Sequence, residues 1–170
     1  ITEFWEQYDS FFFSQNNYIY RGISSQTSVH VLERFDNDVI NLKPKGVIIL
    51  VGINDIAENY GPISLEEIMV NITSMVDKSL KNNIEVLLCS VLPANNFYWN
   101  PKIQPIEKIM QLNQMIKAYS LVKQIKYVDY YTEMIDENLG LDTKYSDDGV
   151  HPNLDGYLKM KTILEFYMKL

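Results

Sequence analysis

Along the chain, short runs of consecutive apolar residues alternate with longer stretches in which apolar residues recur every three or four positions. Val47-Ile48-Ile49-Leu50-Val51 is a continuous, mostly β-branched run with Gly46 before it and Gly52 after it. Such a run predicts a buried parallel strand, apolar on both faces. Ile84 to Leu92, stopped by Pro93, and Ile125 to Tyr130 predict two more strands, and Tyr18-Ile19-Tyr20 a short first one. Between them lie helical spacings. Val29, Leu32, Phe35 and Val39 mark a helix over about Gln26–Ile40. Ser64-Leu65-Glu66-Glu67 is a capping box opening a helix that carries Ile68, Ile72, Met75, Val76 and Leu80. Pro105 suits the first turn of a helix with Ile109, Leu112, Met115, Ile116 and Tyr119 on its stripe. A last helix runs from about Asn153 to the end.

Strands alternating with helices imply βαβ units and a parallel sheet covered on both faces. In such sheets ligands bind at the carboxyl ends of the strands, so the loops after the strands are where chemistry is sought. Composition narrows the chemistry. The 170 residues fit one domain, and 46% hydrophobic content excludes disorder. With 22 acidic against 15 basic residues, a net charge of −7, nothing is in surplus to neutralise phosphates, so no nucleic-acid partner is expected. No apolar run is long enough for a transmembrane segment. Cys89 is alone, and its strand context reads as core. Only His30 and His151 are available for imidazole chemistry. His30 sits on a helix among Val29, Val31 and Leu32 and reads as a satisfied or surface residue.

Three loops stand out. Arg21-Gly22-Ile23-Ser24 follows the first expected strand, and its glycine allows close backbone approach or is a plain turn residue. Gly52-Ile53-Asn54-Asp55 follows the second; an Asn there offers a side-chain N–H to an oxyanion, or simply forms a loop. In Asp147-Asp148-Gly149-Val150-His151-Pro152-Asn153, the three-residue spacing lets Asp148 accept the Nδ1–H of His151 and leave Nε2 pointing elsewhere. The same stretch also reads as a capped helix start beside a surface histidine.

Taken together, Gly22, Gly52-x-Asn54-Asp55 and Asp148-x-x-His151-Pro152, in this order and each after a strand, resemble the blocks of the SGNH hydrolases, the GDSL esterase/lipase family. Ser90-Val91-Leu92-Pro93 and Leu112-Asn113 add to the likeness, which runs from end to end of the chain. The resemblance implies a three-layer α/β/α, flavodoxin-like fold over a single domain, residues 1–170. It implies Gly22 and Asn54 as oxyanion-hole donors, His151 as general base and acid, and Asp148 as the residue that orients it. The implied activity is hydrolysis of small acyl or acetyl esters, such as acylated carbohydrates or short-chain lipids, with no metal and no cofactor.

One block is missing. The family nucleophile is the Ser of Gly-Asp-Ser, often followed by Ile-Thr-Glu, and this chain opens Ile1-Thr2-Glu3. The expectation is therefore that the catalytic Ser, and the first strand of the sheet, lie immediately ahead of Ile1. Ser24 and Ser25 read as loop residues rather than substitutes. Phe97-Tyr98-Trp99 is expected to line the pocket, with a plain hydrophobic cover as the alternative; Tyr60 and Trp5 are further rim candidates. Asp55 is read both as substrate-binding, by its place next to Asn54, and as loop-ordering. A non-catalytic relative binding a glycan or lipid in the same cleft is the competing function. A nucleotide-binding or receiver-type module would need a phosphate-cradling loop that the sequence lacks. Compartment and oligomeric state are not legible, since family members occur both inside cells and as exported proteins.

Overall fold

The computed structural model describes residues 1–169. Helices α1 (Thr2–Tyr8), α2 (Ser10–Gln15) and α3 (Ser28–Asp38) lead into strand β1 (Gly46–Ile49). Helices α4 (Ile53–Ile56) and α5 (Leu65–Lys81) then precede β2 (Glu85–Cys89), and α6 (Pro105–Lys123) precedes β3 (Lys126–Val128). Helices α7 (Tyr130–Met134) and α8 (Leu154–Lys169) close the chain. The three strands are parallel, in the order β1-β2-β3, with Val47 opposite Val86 and Leu88 opposite Tyr127.

The alternation along β2 shows how the layers arise. Side chains of successive strand residues point to opposite faces. Val86 and Leu88 enter a core built from α3, α5 and α6, with Phe35, Ile68, Ile72, Met75, Ile109, Leu112 and Ile116. Leu87 and Cys89 enter a second core made by α1, α2, α7 and α8, with Trp5, Phe12, Tyr130, Tyr157, Met160 and Leu164. The sheet thus sits between two helical layers, as the fold class predicts. Both local start signals act as expected: Ser64 and Glu67 form the reciprocal capping box of α5, and Pro105 occupies the first turn of α6.

Two expectations are corrected. Tyr18-Ile19-Tyr20 forms no strand; it has no ladder partner among the described residues, and Ile19 and Tyr20 are exposed. The 47–51 run is not buried on both faces. Among the described residues β1 pairs on one side only, with β2, and Ile48 is exposed. The structure adds α1 and α2 ahead of Tyr18. Asp9 caps α2 by accepting from the Phe12 N–H at 3.0 Å, and is tied to α8 by Lys161 at 2.8 Å.

Asn113, buried on α6, holds the end of β2 in place. Its Oδ1 accepts from Val91 N at 2.7 Å and its Nδ2 donates to Val91 O at 2.9 Å. Asn113→Ala leaves both backbone groups buried and unpaired, which costs roughly 3 kcal/mol. Thermal unfolding should fall by about 10 °C for a chain of this size. A change within about 2 °C, less than 1 kcal/mol on that scale, would refute the clamp.

Candidate active site

The loop between α7 and α8 carries the histidine. Asp148 uses its two carboxylate oxygens for different tasks. Oδ1 accepts from the backbone N–H groups of Val150 (2.9 Å) and His151 (2.7 Å), closing a tight turn. Oδ2 lies 2.7 Å from Nδ1 of His151. An ionised carboxylate only accepts, so Nδ1 carries the proton and Nε2 presents a lone pair. Nε2 has no protein partner among the described residues, and the imidazole is half exposed. Burial works to raise the Asp148 carboxyl, but the bonds from the His151 backbone and ring and from Val150 N outweigh it and leave it below the ordinary carboxylate value. Ser146 completes the turn, donating to His151 O at 2.7 Å and accepting from Gly149 N at 2.9 Å. Asn153 meanwhile caps α8, accepting from Gly156 N at 3.0 Å. Both readings of this motif hold: it is a capped helix start, and the histidine is held by its carboxylate.

A carboxyl with a depressed folded-state value stabilises the fold above its ordinary range, and loses that contribution as pH falls through the lowered value. The Val150 and His151 amide resonances should therefore move together in an acid titration, with a midpoint below about 3.9, the ordinary Asp value. A midpoint at or above that value would show that the turn does not depend on the ionised Asp148.

The oxyanion candidates occupy the other two loops. Gly22 packs against the start of α1: a Cβ there would lie 2.6 Å from Glu3 N and 2.8 Å from the Thr2 Cβ, so only glycine fits. Its N–H has no acceptor among the described residues. Gly52, at φ +125°, turns the chain from β1 into α4 in a conformation other residues rarely adopt. Two residues on, Asn54 donates one Nδ2 hydrogen to Gln26 O at 2.8 Å, and its Oδ1 accepts from Asn59 Nδ2 at 3.1 Å. With the amide orientation fixed by both contacts, the second Nδ2 hydrogen is left to point elsewhere.

Asp55 does not line the site. It is buried beneath the loop, accepting from Ser28 N (3.0 and 2.9 Å) and Ser28 Oγ (2.6 Å), while Asn71 Nδ2 donates to that same Oγ at 2.9 Å. Burial raises its carboxyl despite the Ser28 bonds. The loop-ordering reading replaces the substrate-binding one, because every approach to the carboxylate is taken by the N-terminus of α3. The aromatic triplet also divides. Phe97 is wholly buried in the core, which corrects its assignment to the pocket; its ring supports Trp99 from 5.1 Å. Tyr98 and Trp99 are exposed, and the Trp99 ring lies 6.0 Å from the His151 ring. Trp5 is core rather than rim, whereas Tyr60 is exposed. His30 is satisfied, with Nδ1 2.8 Å from the Thr27 hydroxyl in the cap of α3. Cys89 is buried and its thiol is pushed up by burial, so it is inert.

Contacts link the Asn54 loop to His151. Trp99 touches His151 and donates Nε1–H to Asn59 Oδ1 at 3.4 Å, and Asn59 holds Asn54. On another side, His151 and Pro152 line a cleft of about 430 Å³ with Phe4, Gln7, Tyr8 and Tyr157. Helix α1 thereby meets Gly22 with its first residues and the histidine's cleft with Phe4, Gln7 and Tyr8. Sequence reasoning missed Asn59, Ser146 and the α1 wall. Asn59 lies in an irregular turn after α4, and no periodicity marks it. Among the described residues no cluster of His, Cys, Asp and Glu could hold a metal, and no helix is long and apolar enough to cross a membrane.

Comparison with known proteins agrees with this fold. The solved structure of a GDSL-like lipase from Bacteroides thetaiotaomicron superposes with a TM-score of 0.96 at 44% identity, covering 99% of this chain and 83% of that one. A mutant of an acetyl-xylooligosaccharide esterase from Geobacillus has a TM-score of 0.73 at 20% identity, over 90% of this chain and 72% of that one, a likeness of fold. A 75-residue stretch, 42% of this chain, is 32% identical to an uncharacterized lipoprotein, YqeF, of Bacillus subtilis; the match spans about a third (31%) of that protein's length. The family model for GDSL-like lipases/acylhydrolases matches residues 5–159, and the chain belongs to that family.

Proposed function

We propose that the protein is a serine ester hydrolase that cleaves small acyl esters through a Ser-His-Asp triad. His151 and Asp148 come from this chain, and the serine is the residue directly ahead of Ile1 in the intact protein. The observation that carries the reading is the 2.7 Å Asp148–His151 contact with Nε2 without a partner among the described residues, and the free Gly22 N–H and second Asn54 Nδ2 hydrogen support it as candidate donors. Two features support the position of the serine: Gly22 packs on Thr2 and Glu3, and the cleft beside His151 is walled by α1. The open edge of β1 is where a preceding strand would pair.

In this mechanism the serine Oγ attacks the acyl carbonyl while Nε2 of His151 takes its proton. The negative oxygen of the tetrahedral intermediate receives the Gly22 and Asn54 N–H groups. Collapse breaks the ester C–O bond, and the alcohol leaves with the proton from His151. Water then attacks the acyl-enzyme, giving its proton to His151. The carboxylic acid departs and the serine recovers its proton. Asp148 stays ionised throughout.

The test is made on the intact protein. A fluorophosphonate probe should label the serine preceding Ile1 and abolish hydrolysis of p-nitrophenyl acetate. Folded protein that neither labels nor hydrolyses the ester would overturn the proposal and favour a non-catalytic binding relative. Within the same assay, Asn54→Ala should lower kcat by about 10²–10³ with little change in KM, since the donor acts on charge that develops only in the transition state.

A further inference from the structure

The exposed aromatic face beside His151 is more than the hydrolysis of a simple ester needs. Tyr98 and Trp99 are 61% and 41% exposed, whereas the exposed Tyr60 packs its ring on His30. Buried Phe97 supports the indole at 5.1 Å and 32°, the Tyr98 ring stands edge-on to it at 4.9 Å, and its Nε1 is tied to Asn59. This is a ring held in one orientation, at little entropic cost to a ligand that stacks on it. One amide adjoins it: Asn59 accepts from the indole and donates one Nδ2 hydrogen to Asn54, which leaves its second Nδ2 hydrogen for a ligand hydroxyl, while Asn95 and Asn100 of the same loop donate to Asn138 O and Ala57 O. From Leu92 to Pro101 there is no Asp, Glu, Lys or Arg, and Lys102 is the one charged side chain of the loop between β2 and α6, so a zwitterionic or cationic head group meets no acidic partner on it. A long alkyl chain calls for a continuous aliphatic channel, and the face offers separated rings and amides instead.

Resting on the ester-hydrolase reading, we propose that Trp99, flanked by Tyr98, is a stacking platform for the sugar ring that carries the ester, so that the substrate is a neutral O-acylated carbohydrate. A ring with an apolar face and a polar edge suits such a ligand, whose C–H face packs on the indole while a hydroxyl reaches the Asn59 amide. The ester on that ring would then lie next to His151, which protonates the departing sugar hydroxyl.

The intact enzyme is assayed on acetylated xylotetraose, cellobiose octaacetate, p-nitrophenyl octanoate and p-nitrophenyl acetate. Because Trp99 also touches His151, each kcat/KM is divided by that for p-nitrophenyl acetate in the same variant. Trp99→Ala should lower this ratio about tenfold for the acetylated sugars, and Trp99→Phe, which keeps a ring, should restore most of it. Unesterified xylotetraose, cellotetraose or mannotetraose should compete with p-nitrophenyl acetate, with a Ki that rises about tenfold in Trp99→Ala. Unchanged sugar ratios, a fall confined to the octanoate, or no competition by any of the three tetrasaccharides would overturn the platform. Failure of the wild type to hydrolyse p-nitrophenyl acetate would instead sink the hydrolase reading. Quenching of tryptophan fluorescence by the same tetrasaccharides, lost in Trp99→Ala, would then still test the platform alone.

Discussion

His151→Ala is expected to lower kcat for p-nitrophenyl acetate by roughly four to six orders of magnitude, the scale on which loss of a triad base is felt. Without the imidazole, the serine must attack as a neutral hydroxyl and the alcohol must leave unprotonated. In the proposed mechanism the remaining rate would come from the Gly22 and Asn54 N–H groups and from binding. KM should change little, because the imidazole acts in the transition state. Stability should hardly move: the ring is half exposed, with Asp148 Oδ2 as its hydrogen-bond partner and Trp99 as its aromatic neighbour. His30→Ala is the comparison. That imidazole is occupied by the Thr27 cap, so its loss costs about 1 kcal/mol of stability and leaves the chemistry intact. A fall of less than about tenfold in His151→Ala, far short of the triad scale, would remove His151 from the proton path.

The features legible in the sequence were those fixed by local physics. The alternation within Val86-Leu87-Leu88-Cys89 implies two apolar faces, and the structure gives each its own core. Ser64 and Pro105 mark helix starts through capping and a fixed φ, and both helices begin there. The Asp148–His151 contact follows from a three-residue turn. Features that depend on partners distant in sequence were not legible. A β-prone stretch such as Tyr18–Tyr20 becomes a strand only when a neighbour supplies the ladder. Phe97 and Trp99 are both aromatic and two residues apart, yet one is core and the other is surface; the turn of the loop over Ala57 and Asn59 decides which. Asp55 looked outward because it follows Asn54, but only the fold brings Ser28 and Asn71 to its carboxylate. Residues that position others are those a one-dimensional pattern hides.

Asp148→Asn separates orientation from turn-building. The new side-chain Oδ1 can still accept from Val150 and His151 N–H, so the loop keeps its shape and the folded protein remains soluble to the same temperature within a few degrees. What changes is the group facing the ring. An Nδ2 donor now sits where Oδ2 was, 2.7 Å from Nδ1. Two N–H groups cannot point at each other, so the imidazole shifts its proton to Nε2 and offers the lone pair at Nδ1 to the introduced amide. The nitrogen that should take the serine proton is then itself a donor. The positive imidazolium of the transition state also loses its facing carboxylate. A fall in kcat of about 10⁴ follows, the size seen when a triad carboxylate is replaced by its amide. At high pH part of the activity should return, because hydroxide then serves as the missing base. A pH–rate profile of Asp148→Asn should rise with pH well beyond the point at which the wild type levels off. A parallel profile, or a kcat within about tenfold of wild type, would show that Asp148 builds the turn and does nothing for the proton.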